Sequence, residues 1–162
     1  MPANSYQDVV DQLQLTPHPE GGFFRCTYHS SLALDIRGKS RWCSTGIYYL
    51  LLRGERSHFH RLKSDEMWHF YRGESLTLLE ITLNGLLKKT KMGPDLLGEE
   101  FLQYVVPAGH WLAAYPDGEY SLVGCTMAPG FDYEDFELGE KEKLLREYPH
   151  YRLEIERFCL SS

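Results

Sequence analysis

The sequence predicts an all-β fold, a sandwich or barrel of antiparallel strands. At least eight short strand-like segments follow one another at hairpin-like spacing, separated by turns rich in Gly, Pro, Asn and Asp. The aromatic content of 14% suits a β fold whose interior is lined by large side chains. Because 162 residues correspond to one domain with a sizeable core, we expect a single domain over residues 1–162.

The chain begins with a predicted helix at residues 5–14. Ser5 and Asp8 have the spacing of a capping box, and the apolar side chains of this segment fall on one stripe. Pro17 and Pro19 prevent the helix from continuing.

The predicted barrel then covers about residues 20–138. The segment FFRCTYH alternates apolar and polar residues and predicts a strand, whereas residues 30–41 show no sustained period and are predicted to form a loop. The apolar run at 42–53 predicts a buried strand, and Asn84-Gly85 predicts a hairpin with a type I′ turn. Further strands are predicted at 67–71, 75–83, 86–92, 101–106, 111–115 and 120–128.

Helical periodicity returns after the last predicted strand, within residues 140–159. Leu144 and Tyr148 mark one apolar stripe, and Ile155 and Phe158 mark another. We expect these short helices to pack against the outside of the barrel.

The net charge of the chain limits the kinds of partner that can be expected. A net charge of -6 argues against nucleic acid and against an anionic membrane surface, because neither attracts an acidic protein. The N-terminus lacks the pattern of a secretory signal, and no apolar run is long enough for a membrane span. The four cysteines show no metal-binding or redox spacing. We therefore expect a cytoplasmic protein with a small-molecule ligand.

The segment SHFHRLKSDEMWHFYRG, residues 57–73, holds three of the seven histidines. His58 and His60 occupy alternate positions of a predicted strand, so their imidazoles share one face. Glu66 and His69 follow a polar turn that folds the next strand back beside the first. Such a set binds a divalent metal or moves protons, and the candidate catalytic residues are His60, Glu66 and His69.

Two alternatives remain for which face of the second strand points to the interior. Glu66 and His69 are three residues apart and point to opposite faces of a continuous strand. If Glu66 faces the interior, so does Trp68; if Asp65 faces the interior, so does His69.

Five further residues are candidates for ligand binding. His58 lies beside the catalytic candidates, and Arg61 could bind a carboxylate or phosphate, although a surface salt bridge is the commoner fate of such an arginine. Tyr49, Trp68 and Trp111 could line a pocket for a ring-shaped ligand, or could simply pack in the core.

The segment GERSHFHRLKSDEMWHFYRGE resembles the first motif of the cupin superfamily, in which HxH is followed by a glutamate and then a glycine. His58, His60, Glu66 and Gly73 match that motif, with one extra residue before the glutamate. The resemblance implies that His58, His60 and Glu66 are candidate ligands of a divalent metal.

VVPAGHW, with Pro107 and Gly109, resembles the second cupin motif, PxGxxH. The histidine of that motif, the third metal histidine of the superfamily, is replaced here by Leu112. His110 lies two residues earlier, about 6 to 7 Å away along a strand. A metal is therefore a candidate cofactor, and none is required.

A finer resemblance covers nearly the whole chain. HPEGGFFRCTY, SHFHRLKSDEMWHFYRG, VPAGHW and VGCTMAPGFDYEDFEL are similar to the signature blocks of the DUF985, or cupin 5, group. This resemblance implies a jelly-roll β-barrel and a homodimer.

Three functions are compatible with these features. The first is a small-molecule-binding cupin, acting if it is an enzyme as a metal-independent epimerase or isomerase on a sugar or nucleotide sugar, with His60 as base and Glu66 or a tyrosine as acid. The second is a metal-dependent isomerase or dioxygenase using His58, His60 and Glu66. The third is a non-catalytic binding or storage module.

Overall fold

The computed structural model describes residues 5–19 and 21–160, which form two facing antiparallel sheets in the predicted jelly-roll arrangement. Strands are numbered along the chain. The six-stranded sheet contains, in spatial order, β1 (Thr16–Pro17), β2 (Phe23–His29), β5 (Thr45–Leu52), β12 (Tyr120–Met127), β7 (Glu66–Gly73) and β10 (Gln103–Val106). The five-stranded sheet contains β13 (Phe136–Leu138), β6 (Ser57–Leu62), β11 (Trp111–Pro116), β8 (Leu76–Ile81) and β9 (Leu87–Met92).

The prediction of a loop at residues 30–41 is wrong. Strands β3 (Ala33–Ile36) and β4 (Lys39–Trp42) pair with each other to form a separate hairpin. Arg37 and Gly38 both have positive φ, 56° and 77°, as a two-residue type I′ turn requires. The strand period is hidden in the sequence because most side chains of this hairpin are exposed on both faces.

The β8–β9 hairpin occurs where it was predicted, but its turn is not type I′. Gly85 has a φ of 74°, whereas Asn84 does not have the positive φ that a type I′ turn demands. The amide of Thr82 donates to the carbonyl of Leu86, so the loop has three residues and ends on a left-handed glycine.

Helices pack on part of the outer face of each sheet. Helix α1 (Tyr6–Leu13) begins with the predicted capping box, in which the Ser5 and Asp8 side chains satisfy each other's backbone amides. The C-terminal helices are α2 (Lys141–Glu147) and α3 (Arg152–Phe158), joined through a 3-10 turn. In the described part of the chain, no helix has the length and apolar character that crossing a bilayer requires.

Three apolar clusters fix the order of the layers. One lies between the two sheets and includes Leu51, Trp68 and Leu112. A second packs α2 and α3 on the outer face of the five-stranded sheet, and a third packs α1 on the outer face of the six-stranded sheet. Strand alternation therefore decides whether a side chain meets the interior or a helix.

Candidate functional site

A cavity of about 180 Å³ lies between the two sheets. Its walls are mainly apolar and aromatic, and its few polar groups come from facing strands. The lining residues are His18, Pro19, Phe24, Cys26, Thr45, Ile47, Tyr49, Ser57, His60, Leu62, Glu66, Trp68, Cys125, Met127, Phe131, Tyr133 and Phe136.

Strand β6 brings His60 into the cavity through a β-bulge. Across the β6–β11 pair, Leu112 lies opposite His60 and Ala114 lies opposite Ser57, so β6 contains one extra residue between these positions. Ser57, His60 and Leu62 all line the cavity as a result. His58, which the alternation predicted to share the face of His60, is half-buried and is not among the lining residues.

The ring nitrogens of His60 have distinct roles. Nδ1 lies 2.8 Å from the carbonyl oxygen of His58, which can only accept a hydrogen bond, so Nδ1 carries the proton of the neutral ring. Nε2 is then the basic nitrogen. The pKa of His60 is lowered to about 4, chiefly by burial; the hydrogen bond to the His58 carbonyl opposes this shift, and the electrostatic effects of His18 and His58 add to it.

Glu66 reaches the same cavity from the other sheet. The first residues of β7 alternate regularly, and Glu66 and Trp68 both face inward. The indole Nε1 of Trp68 donates a 2.9 Å hydrogen bond to Glu66 Oε2, and the Cys125 thiol also contacts this carboxyl group. Burial nevertheless raises the pKa of Glu66 to about 7, because two neutral partners replace little of the lost hydration.

The turn before β2 supplies another wall. His18 packs edge-on against Phe24 at 4.8 Å between ring centroids, and burial lowers its pKa. The hydroxyl of Tyr49 donates to the carbonyl of Gly21 at 3.0 Å. Gly22 has a φ of 75°, and a Cβ there would collide with the carbonyl of Leu50, so only glycine fits.

Residues 128–135, which we call the aromatic strap, close the side of the cavity between the sheets. The strap leaves β12 in one sheet and enters β13 in the other. The rings of Phe131 and Tyr133, together with Phe136 at the start of β13, pack edge-on with centroids 5.0 to 6.5 Å apart. Tyr133 is 69% exposed, so the cavity meets the surface here.

The structure places His69 outside this cavity. It lies on the outer face of β7, where its Nε2 is 2.8 Å from Thr126 Oγ1 and its Nδ1 is 3.1 Å from Gln103 Nε2. Of the two alternatives left open by the sequence, the structure has Glu66 facing inward, and a residue three positions later on the same strand faces outward, so His69 does not join His60 and Glu66 in the cavity.

Two predicted ligand-binding residues also lie elsewhere. Arg61 points away from His60, forms an ion pair with Glu137 at 2.7 Å and stacks over Trp111 at 4.5 Å. Trp111 packs in the cluster beneath the C-terminal helices. Their assignment to the cavity is corrected by the same alternation, whereas Tyr49 and Trp68 lie where they were expected.

The residues around His60 do not fit a divalent-metal site. Leu112 lies directly opposite His60 in the strand register, and the imidazole Nδ1 of His110 is 2.8 Å from Glu80 Oε1. Glu80 is buried and also accepts from the hydroxyl of Tyr104, so His110 belongs to a separate polar cluster. Among residues 5–19 and 21–160, no group of three His, Cys, Asp or Glu side chains could hold a metal ion.

Several lining residues were not recognised in the sequence. Phe24 and Cys26 carried a usable signal, since they lie on the apolar face of an alternating strand. Cys125 and Met127 lie in a strand with no polar face to orient it, and the aromatic strap has no period at all.

Comparison with known proteins identifies relatives of the whole chain. The family model "Cupin superfamily (DUF985)" matches residues 7–139. An uncharacterised Saccharomyces cerevisiae protein is 31% identical over 160 residues, covering 87% of this chain and 79% of the yeast protein.

Solved structures show the same fold. A hypothetical protein from Leishmania major has a TM-score of 0.92 at 32% identity, and covers 98% of this chain and 100% of its own. Protein SO0799 from Shewanella oneidensis has a TM-score of 0.91 at 39% identity, and the match covers 99% of this chain and 100% of the Shewanella chain. Oxalate decarboxylase from Bacillus subtilis shares the fold alone, with a TM-score of 0.57 at 15% identity, over 88% of this chain and 36% of the enzyme chain.

Proposed function

Since the chain belongs to the DUF985 family of the cupin superfamily, we propose that it binds a small, uncharged, monocyclic organic molecule in the cavity between its sheets. The cavity is close in size to the apolar cavity of about 150 Å³ that holds benzene in an engineered protein. Its aromatic walls favour a ring-shaped ligand, and His60 and Glu66 supply the hydrogen bonds that would orient it.

One observation carries the chemical part of the proposal: His60 and Glu66 share one apolar cavity, and burial moves their pKa values in opposite directions. With pKa values of about 4 and about 7, the imidazole is neutral while the carboxyl group is protonated across the pH range between them. A neutral base and a protonated acid in one site are the pair that general acid–base catalysis needs.

The reaction we propose is isomerisation by proton transfer. Nε2 of His60 removes a proton from a carbon next to a carbonyl group, and Glu66 donates its proton to the carbonyl oxygen, which gives an enol. The imidazolium of His60 returns a proton to the same carbon, on either face of the enol, and the enol hydroxyl returns its proton to Glu66, so both residues are restored and the configuration at that carbon can be inverted. No group outside the pair is needed for the balance of protons.

A nucleotide sugar is a poor match for this cavity. No lysine or arginine is present among the lining residues within the described part of the chain, so a phosphate would lack a cationic partner. A cavity of about 180 Å³ is also far smaller than a nucleotide needs. The sugar-nucleotide substrate is therefore not part of the proposal.

Thermal denaturation tests the binding part. Cyclohexanone and phenol are compared with benzoate and benzylamine, which have similar size but carry charge. We expect the uncharged pair to raise the melting temperature of the wild-type protein and the charged pair to leave it unchanged, because a ligand that binds the folded state stabilises it. Equal stabilisation by benzoate would contradict the proposed preference.

Hydrogen exchange into the ligand tests the chemistry. In deuterated water at pH 6, we expect the protein to accelerate deuterium incorporation next to the carbonyl of cyclohexanone, and expect His60→Gln and Glu66→Gln each to reduce that rate by about 10² or more. Binding without any exchange would instead assign the cavity to a non-catalytic binding module.

A further inference from the structure

The aromatic strap is attached to the molecule through the β3–β4 hairpin and the first residue of β5. The amide of Gly130 donates to the carbonyl of Trp42 at 2.7 Å, and the amide of Phe131 donates to Thr45 Oγ1 at 2.8 Å. Beyond these bonds, the second half of the strap presents Glu134 and Asp135 to the β3–β4 hairpin.

Arg41 of that hairpin holds these two carboxylates. Its Nε is 2.7 Å from Asp135 Oδ2, and one terminal nitrogen lies 3.0 Å from Glu134 Oε2 and 3.1 Å from Asp135 Oδ1. Asp132 lies 3.8 Å from the other terminal nitrogen. Arg41 is only 7% exposed, although it lies on a hairpin that belongs to neither sheet. A fork of donors on a planar guanidinium is suited to bridging several carboxylates at once.

Two lysines complete a compact charged cluster. Lys39 contacts Glu134 at 2.9 Å, and Lys63 contacts Asp135 at 3.7 Å. The side chains of the two lysines are 50% and 59% exposed, so their ion pairs are weak. Arg41 is the buried member of the cluster. If it were removed, the carboxylates of the strap would face one another with no buried cation between them.

We propose that Arg41 is a positioning residue for the ligand cavity: it holds the aromatic strap shut, and local release of the strap from Arg41 is the route by which a ligand reaches His60 and Glu66. This inference rests on the proposed function, because it takes the cavity as the binding site. The strap carries Phe131 and Tyr133 of the cavity wall on the same short segment as the carboxylates that Arg41 binds. Movement of that segment therefore moves the wall.

The cavity contains its own reporter, the thiol of Cys125, which is 5% exposed. Cys159 is similarly buried, at 6% exposed, but lies beneath the C-terminal helices on the outer face of the five-stranded sheet, outside the cavity. In a Cys26→Ser, Cys43→Ser background, alkylation of both remaining thiols by iodoacetamide is followed by peptide mass spectrometry. Opening of the strap exposes Cys125 alone, whereas global unfolding exposes both thiols.

We expect Arg41→Gln to accelerate alkylation of Cys125 about tenfold or more and to leave the rate at Cys159 unchanged. Arg41→Lys, which keeps the charge but not the fork, should give an intermediate rate. Lys91→Gln, which removes the ion pairs with Glu100 and Asp117 at the edge of the five-stranded sheet opposite β13, should change neither rate. If Arg41→Gln does not fold, Glu134→Gln, at an exposed position, removes one bond of Arg41 together with the weak pair to Lys39 and should still accelerate Cys125 about threefold.

An unchanged rate at Cys125, or an equal acceleration of Cys125 and Cys159, would overturn the proposal. Because iodoacetamide is the only probe, the result does not depend on any ligand. A strap that opens on loss of Arg41 in a protein that binds none of the tested ring compounds would contradict the proposed function alone.

Discussion

Glu66 is a carboxyl group buried without a cation in contact with it in the described part of the chain. Its partners are an indole N–H and a thiol, and its pKa of about 7 follows from that neutral environment. His60 shows the opposite behaviour with a pKa of about 4. Each group therefore makes folding dependent on pH, with opposite sign.

The pH dependence of unfolding tests this pair. Glu66 has a raised pKa in the folded state, so its contribution to stability is present below pH 4.5 and is lost as the pH rises through about 7. Glu66→Gln removes that loss. Relative to the wild-type protein, we expect the variant to gain about 3 kcal/mol of unfolding free energy between pH 4.5 and pH 8, measured by urea denaturation.

His60→Gln provides the matched variant with the opposite slope. The pKa of His60 is lowered in the folded state, so its contribution is present above pH 6.5 and is lost as the pH falls through about 4. Relative to wild type, this variant should gain stability on acidification. Two variants with the same slope would contradict the burial of one of the two groups.

The turn that ends at Gly22 has a strict sequence requirement. A Cβ at Gly22 would collide with the carbonyl of Leu50 and approach Leu51 Cδ2 to 3.0 Å, in addition to the cost of its positive φ. Gly54 also has a positive φ of 85°, but a Cβ there meets nothing within 4 Å. A comparison of alanine substitutions at the two glycines therefore separates the cost of backbone strain from the cost of a steric collision.

We expect Gly54→Ala to lower the free energy of unfolding by about 1 kcal/mol and Gly22→Ala to lower it by about 3 kcal/mol or more. Chemical denaturation of the two variants measures the difference. Because the turn carries His18 into the cavity wall, Gly22→Ala should also weaken ligand binding. Equal destabilisation would show that the collision with the β5 backbone is relieved at little cost.

At the scale of elements, alternation predicted much of the fold and part of the site. The strand FFRCTYH, the hairpin at residues 84–85 and the capping box of α1 follow from local patterns that the folded structure keeps. The β3–β4 hairpin was not predicted because neither of its faces is apolar enough to show the two-residue period of a strand.

The site was harder to predict because it depends on which face of its strand each residue occupies. Glu66 and His69 lie three residues apart, and only the sheet pairing decides which of them faces inward. The bulge beside His58 changes the facing residues of β6 without any mark in the sequence. Tyr133 reaches the cavity from a segment whose position is set by long-range ion pairs to Arg41.

The whole molecule is a stack of layers in which helices cover only part of the outer sheet faces. We propose that the protein is a homodimer, as the family resemblance implies. Light scattering during size-exclusion chromatography should give twice the chain mass of 18.8 kDa. A mass of one chain at all concentrations would contradict it.

His60 and Glu66 are close neighbours in the chain, yet they belong to opposite sheets. A molecule held by both residues would have to leave, or lose half of its contacts, before the two sheets could separate. An occupied cavity should therefore act mainly on the rate of unfolding, lengthening the lifetime of the native protein while leaving the rate of folding nearly unchanged.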